Sequence, residues 1–253
     1  MREVYQEISR SVLNLLFPSH CHFCKKILPR GSCICESCVN ELEIIEGVFC
    51  RRCGAPISHD EAPESTGCIH CADLFFSFRR NESIGVFSGK LRELVHLFKF
   101  QKRRSLFHIF SSLASKYKRH YIEEHHILIP VPLTRTRHSE RGFNQSSLIA
   151  CALSHRVKIG YSGELLKRVG NSPPQSTVLS RELRNNNMAD SFVLRKRFFE
   201  QIKGKDVLLV DDVLTTGATA SACARALYDG GAKNVDVLTI GRTKVSGDAL
   251  YIL

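Results

Sequence analysis

From about residue 79 onward the apolar positions recur with periods that separate helices from strands. In residues 89–102 (GKLRELVHLFKFQK), Leu91, Leu94, Val95 and Phe98 share one face at helical spacing, so this stretch predicts an amphipathic helix. Residues 105–122 predict a second helix, and residues 144–153 a third with Phe143 and Asn144 at its start. The short run ILIPV, residues 127–131, suits a buried strand that ends in a loop. Val207-Leu208-Leu209-Val210 predicts another buried strand, followed by a polar turn and a helix over residues 217–228. Gly230-Gly231 stops that helix, and VDVLTI, residues 235–240, supplies the next strand. Strand, helix and strand at these separations make a βαβ unit, hence a parallel sheet flanked by helices and an α/β fold class. Before residue 78 the pattern changes to short pieces punctuated by Gly, Pro and Cys, preceded by a short amphipathic helix over residues 2–17. Two domains are therefore expected, residues 1–78 and 79–253, with loops at Asn171-Ser172-Pro173-Pro174 and Asn185-Asn186-Asn187.

Cysteine usage gives the first part a chemistry. Of eleven cysteines, nine fall between Cys21 and Cys71, eight of them as four C-x-x-C pairs: Cys21/Cys24, Cys35/Cys38, Cys50/Cys53 and Cys68/Cys71. Two intervening residues let one tight turn aim both thiolates at a single ion, and a structural zinc takes four such ligands. Four pairs thus supply one or two zinc sites, formed by successive pairs or by interleaved ones. Cys33, His20, His22, His59 and His70 are spare candidate ligands. Buried free thiols or a redox pair would be the blander reading, but four repeated pairs in a segment poor in apolar residues argue against it. Residues 2–17 do not read as a secretory signal, so reduced thiols and a cytoplasmic location are expected. No stretch approaches the roughly 18 apolar residues of a membrane span.

Charge is unevenly placed. The net is +11, and residues 79–141 hold fourteen Lys/Arg against five Asp/Glu. Such a surface suits polyphosphates or nucleic acid, or is simply a solvated basic face. Phe87, Phe98, Phe100, Phe107 and Phe110 interleave with it. Basic grooves with stackable aromatics suit single strands, although helical spacing marks Phe98 and its neighbours as core.

Two further constellations carry chemistry. In the stretch from Val207 to Thr219, Asp211 and Asp212 emerge at the carboxyl end of an apolar strand, where open α/β sheets bind ligands. Val213 and Leu214 lead to Thr215, Thr216, Gly217, Ala218 and Thr219, which open a helix. Hydroxyls and N–H groups at a helix N-terminus form an anion site, and carboxylates accept hydrogen bonds from a sugar diol directly or through hydrated Mg²⁺. A strand that merely ends in two aspartates is the plainer alternative. Separately, Pro130-Val131-Pro132-Leu133 follows a strand and precedes Arg135, Arg137, Arg141, Gly142, Phe143, Asn144 and Gln145. Three arginines so close could neutralise a diphosphate, or form a solvated cluster.

The stretch from Val207 to Thr219 resembles the phosphoribosyl diphosphate motif of type I phosphoribosyltransferases. That resemblance implies that Asp211 and Asp212 meet the ribose hydroxyls while Thr215 to Thr219 hold the 5′-phosphate. The four C-x-x-C pairs, the PVPL…R…RGFNQ segment and the VDDVLTTGAT loop together are similar to the ComF family of competence proteins. Phe98-Lys99-Phe100 and Gln175…Leu179-Ser180-Arg181…Arg184 extend the likeness, whereas Asn185 to Met188 depart from it. The resemblance implies a type I phosphoribosyltransferase fold behind a small zinc-binding module, with phosphoribosyl diphosphate and Mg²⁺ as ligands. It implies a role in natural transformation on imported single-stranded DNA, with DNA-uptake or recombination proteins as partners. Catalysis would displace diphosphate from C1 of the sugar as the leaving group, transferring the phosphoribosyl group to an acceptor that no residue identifies. A non-catalytic single-strand-binding protein, or a sensor of the sugar diphosphate, would keep the same fold.

Overall fold

A computed structural model of the chain describes residues 19–29, 32–57, 67–69, 71–169 and 192–243. The helix expected over residues 2–17, His59 and His70, and the segment from Asn171 to Met188 lie outside these residues. A hairpin of β1 (Ser19–His20) and β2 (Ile27–Leu28) precedes α1 (Glu36–Asn40) and the edge strand β3 (Asn81–Val86). Helices α2 (Gly89–Phe100), α3 (Leu106–Tyr117) and α4 (Arg119–Glu123) lead to β4 (Ile127–Pro130). Then come α5 (Arg135–Arg141), α6 (Gln145–Val157), β5 (Gly160–Tyr161) and the antiparallel pair β6 (Leu166–Arg168) and β7 (Phe192–Leu194). The short α7 (Phe199–Ile202), β8 (Asp206–Leu214), α8 (Ala218–Asp229) and β9 (Asn234–Arg242) complete the described chain. Strands β3-β9-β8-β4-β5 lie in that order in one sheet, and every neighbouring pair is parallel.

Apolar runs without alternation become legible once both faces are covered. Leu208, Val210, Leu238, Ile240 and Leu128 point to one side and pack with α2, α3 and α6. Val207, Leu209, Val235, Val237, Ile127 and Ile129 point to the other and meet the alanine-rich face of α8. Each such side chain, fully buried, contributes roughly 1.5–3 kcal/mol, so the three central strands are the stability centre. The cysteine region divides between the same two cores: Cys21, Cys35 and Cys38 join the first, and Cys50, Cys53, Cys68 and Cys71 join the second. Between them, residues 43–45 run antiparallel along the outer edge of β3. Ile45 N–H donates to Ile84 O (2.9 Å) and Val86 N–H to Glu43 O (2.8 Å), so this edge strand has no open ladder there. Gly85 is required at this crossing, since a Cβ would lie 2.7 Å from Glu43 O.

At the amino ends of the strands, Asp236 is fully buried. It accepts from Arg79 (2.9 and 2.6 Å), Arg80 Nε (3.0 Å) and His125 Nε2 (2.9 Å). Burial alone would raise its pKa; the hydrogen bonds from Arg79, His125 and Arg80 outweigh burial and hold it well below the ordinary carboxylate range.

Three elements differ from the periodicity. The helix expected over 105–122 is two, because Lys118 turns out of helical geometry (φ −127°, ψ 20°) and carries its Nζ to Ile45 O, 2.9 Å away. The segment of residues 135–141, with no apolar stripe, is nonetheless helical. Thr134 Oγ1 caps it by accepting from Arg137 N–H (3.1 Å), and Gly142 ends it with φ 73°. Strand β8 continues through both aspartates to Leu214, since Asp211 and Val213 stay in register with Thr239 and Gly241 of β9.

Candidate functional site

The carboxyl ends of β4 and β8 lie side by side: Pro130 is in register with Val210, and Val131 N–H donates to Val210 O (3.0 Å). The chain then leaves β4 through half-buried Pro132 and Leu133 into α5. Asn144 fixes the return. Its Nδ2 donates to Val131 O (3.0 Å) while its Oδ1 accepts from Ser146 N–H (3.0 Å) and Ser147 N–H (3.4 Å), capping α6. That cap aims the first turn of α6 at β8, where Ser146 Oγ donates to Asp211 Oδ1 (3.0 Å).

Asp211 also accepts from the N–H of Asp212 (2.9 Å). Burial raises its pKa, the adjacent Asp212 charge adds to the rise, and the result is about 7 despite lowering by the hydrogen bonds and by Lys99. Asp211 thus keeps its proton up to near neutrality. Asp212 points the other way and pairs with Lys99 Nζ at 2.9 Å, from the last turn of α2. Arg141, at the end of α5, is buried. Its guanidinium bonds Gln145 Oε1 (3.2 Å) and lies 5.4 Å from the centre of the exposed Phe100 ring. Burial lowers its pKa, and the Asp212 charge opposes that lowering. Arg137 is exposed one turn earlier, its charge acting on both Arg141 and Arg168.

Beyond Leu214 the chain bends through Thr215 and Thr216 to Gly217, which caps α8 with φ 76°. Its left-handed backbone and close contact both demand glycine: a Cβ would come 2.5 Å from Phe76 Cε1. Thr216 Oγ1 accepts from Ala218 N–H (3.4 Å), and Thr219 lies in the first helical turn. The first turn of a helix leaves N–H groups without intrahelical partners, and here they face the side on which the two aspartates end.

Asp211, Asp212, the loop from Val213 to Thr219, Pro132, Leu133 and Arg141 are therefore brought to one end of the sheet, with Arg137 on its rim. Lys99 and Ser146 were missed as site residues by the sequence. Their only signals were a lysine between two phenylalanines at a helix end, and a serine just inside a helix capped by asparagine. Of the five interleaved phenylalanines, Phe98 and Phe110 are fully buried, Phe87 and Phe107 pack against that core, and Phe100 is exposed.

The cysteine pairs assemble in succession rather than interleaved. Cys21, Cys24, Cys35 and Cys38 converge in one group and Cys50, Cys53, Cys68 and Cys71 in another, the sulfurs of each within 4.8 Å of one another. None of the eight is in a disulfide. Sulfur separations of 3.5 Å (Cys24–Cys35), 3.8 Å (Cys50–Cys71), 3.7 Å (Cys53–Cys68) and 3.9 Å (Cys68–Cys71) match the roughly 3.8 Å edge of a tetrahedron with 2.3 Å zinc–sulfur bonds. Cys35 N–H donates to Cys21 Sγ (3.4 Å) and Lys90 Nζ to Cys38 Sγ (3.7 Å), contacts that suit thiolates. Both groups fit structural zinc. His22 instead pairs with Glu93 (2.7 Å), and Cys33 stands outside either quartet.

Two family models match this chain. A double zinc ribbon domain matches residues 12–74 and a phosphoribosyl transferase domain matches residues 145–246. DNA utilization protein YhgH of Escherichia coli K12 is 29% identical over 235 residues, covering 90% of this chain and 99% of that protein. Competence protein ComFC of Bacillus subtilis is 28% identical over 222 residues (83% and 84%). Competence protein F of Haemophilus influenzae is 28% identical over 229 (88% and 95%). No helix among the described residues is long and apolar enough to cross a membrane.

Proposed function

Given that this chain is a homologue of the ComF competence proteins, joining a double zinc ribbon to a phosphoribosyl transferase domain, we propose that it binds phosphoribosyl diphosphate at the carboxyl ends of β4 and β8. The observation that carries the reading is the aspartate pair, one carboxyl held near neutrality and the other facing Lys99, directly before a helix N-terminus capped by Gly217. Asp211 and Asp212 accept the ribose hydroxyls, and the backbone and hydroxyls of Thr215 to Thr219 receive the 5′-phosphate. Arg141, with Arg137 at the rim and the turn at Pro132 and Leu133, faces the diphosphate. Asp211 and Asp212 would hold a magnesium ion, which would supply charge neutralisation of the diphosphate. Catalysis by this chain would then be diphosphate displacement from C1, with Asp212 balancing positive charge on the sugar ring. The competence names of its relatives support action on imported single-stranded DNA, together with DNA-uptake or recombination proteins.

Calorimetric titration with phosphoribosyl diphosphate and Mg²⁺ tests the site, with ribose 5-phosphate as control. Saturable binding is expected for the zinc-loaded protein, and a loss of about a hundredfold or more in the Asp211→Asn/Asp212→Asn variant. Equal affinity in the two proteins refutes the assignment. A second reading, a single-strand-binding protein that senses the sugar diphosphate without consuming it, is favoured by Phe100, whose exposed ring beneath Arg141 offers a stacking face beside the site. Binding of both ligands with no diphosphate released in the presence of DNA or free bases selects it.

A further inference from the structure

Arg242, the last residue of β9, is fully buried, and its backbone is held on both sides. It is in register with Leu214 of β8 and with Val86 of β3, and its carbonyl accepts from Phe87 N–H (2.8 Å). From that fixed backbone the side chain reaches the place where β8 passes into the threonine loop. There Nη1 donates to the carbonyls of two consecutive residues, Leu214 (3.1 Å) and Thr215 (2.8 Å). Leu214 O has further donors on the β9 side, Thr243 N–H (3.2 Å) and Thr243 Oγ1 (3.3 Å). Thr215 O, among the described residues, accepts from Arg242 alone.

Two consecutive carbonyls on one donor atom do not fit an extended strand. In a strand, successive C=O groups point to opposite sides, so Thr215 O would face away from β9. Arg242 draws it back, and strand geometry ends at Leu214. The peptide bonds here are trans, and a trans peptide sets its N–H opposite its C=O. Leu214 C=O shares its plane with Thr215 N–H, and Thr215 C=O shares its plane with Thr216 N–H. With both carbonyls turned to Arg242, both N–H groups therefore face the other way, side by side. Successive N–H groups turned to one side form a concavity that binds anions. Neither of these two donates to an acceptor among the described residues. Thr215 is half-buried and Thr216 exposed, so a ligand can reach the pair directly before the start of α8.

We propose that Arg242 is a positioning residue for the 5′-phosphate: by holding two consecutive carbonyls it turns Thr215 N–H and Thr216 N–H into one paired phosphate donor. The proposal rests on the phosphoribosyl diphosphate reading of the site. Arg242 touches no ligand and acts only through the two peptide planes. Its effect is therefore confined to the phosphate end of the sugar, and the diphosphate end at Arg141 keeps its affinity. Methionine removes the donor, whereas lysine keeps a charged donor without the planar fork.

The test uses the full, zinc-loaded chain with Mg²⁺ and either phosphoribosyl diphosphate or inorganic diphosphate. In calorimetry, Arg242→Met should weaken phosphoribosyl diphosphate about tenfold and leave inorganic diphosphate within about twofold, and Arg242→Lys should recover part of the loss. In phosphorus NMR of the saturated protein, the 5′-phosphate resonance should differ between wild type and Arg242→Met while the two diphosphate resonances stay in place. Where inorganic diphosphate binds too weakly to titrate, these resonances decide. Unchanged affinity for phosphoribosyl diphosphate, or an equal loss for both ligands, overturns the positioning role while the site itself stands. If the wild type binds no phosphoribosyl diphosphate, the site reading fails and the positioning role falls with it. Should Arg242→Met fail to fold, Arg242→Lys carries the same comparison, and the wild-type amide resonances supply another. Thr215 N–H and Thr216 N–H must shift together when ligand binds, and either one left unmoved refutes the paired donor.

Discussion

Asp211 concentrates the competing demands on a single side chain. Burial and the neighbouring charge raise its pKa to about 7, so the folded protein holds a proton that an unfolded chain releases at ordinary carboxylate pH. The sign follows: stability from this group is greatest at acid pH and is lost as pH rises toward 7. Asp211→Asn should therefore raise the melting temperature by a few degrees at about pH 8 and hardly at about pH 5, as scanning calorimetry would detect. Ligand hydroxyls or a cation recruit the ionised form. Binding at about pH 6 should thus release a proton beyond that of the ligand's own magnesium complex, and almost none at about pH 8. Titrations in buffers of different ionisation enthalpy measure this, and equal proton release at both values would refute the role of Asp211. The aspartates, threonines and Gly217 were legible because the chemistry of that loop is contiguous in sequence. Lys99, Ser146 and Arg242 were not, because each acquires its meaning from a partner brought close by the sheet.

Among the elements, α6 shows how a cap becomes part of a site. Asn144 closes the helix N-terminus, ties the helix to β4 through Val131 O, and so sets Ser146 against Asp211. Asn144→Ala should cost about 1–2 kcal/mol of stability in denaturant titration, the upper part of the usual cap range because the tie to Val131 is lost as well. A cost below a few tenths of a kcal/mol would show that the cap is not carrying the helix. This helix was readable from its starting asparagine and apolar spacing, as were α2, α8, β4 and the cores of β8 and β9. The splitting of α3 from α4 was not, since it depends on Lys118 reaching Ile45 from a distant segment. Nor was β3, whose Asn81, Glu82 and Ser83 break the apolar pattern. Ser83 Oγ lies 2.7 Å from Thr239 Oγ1, a buried hydroxyl pair that replaces apolar packing there. Helix α5 lacks any apolar stripe, and its cap signal at Thr134 was hidden by the arginines around it.

At the scale of the whole molecule, the four cysteine pairs announced metal, but the sequence left their pairing open. The answer lies in the placement of the quartets on opposite faces of one sheet, joined across the edge of β3. Because both quartets sit in the two shared cores, removing zinc with a strong chelator should lower the melting temperature of the whole chain in one transition. An unchanged transition after proven zinc loss would contradict this. At the far end of the sheet, Asp236→Asn leaves partly exposed Arg79 facing a neutral group and Arg80 paired only with Glu124, with an expected loss of roughly 1–3 kcal/mol; the wild type should weaken correspondingly as acid protonates Asp236. The strand that carries Asp236 is β9, and its partners across the sheet are β8 and the much earlier β3, with Asn81 opposite Val237. On the ribosome this order sets a timetable. Cysteine quartets and β3 leave the exit tunnel long before β9 is translated, so a nascent chain carries an unpaired strand until its last described segment arrives. Zinc captured early would narrow that exposure, holding residues 43–45 on the outer edge of β3 so that only the inner edge stays open until β9 arrives.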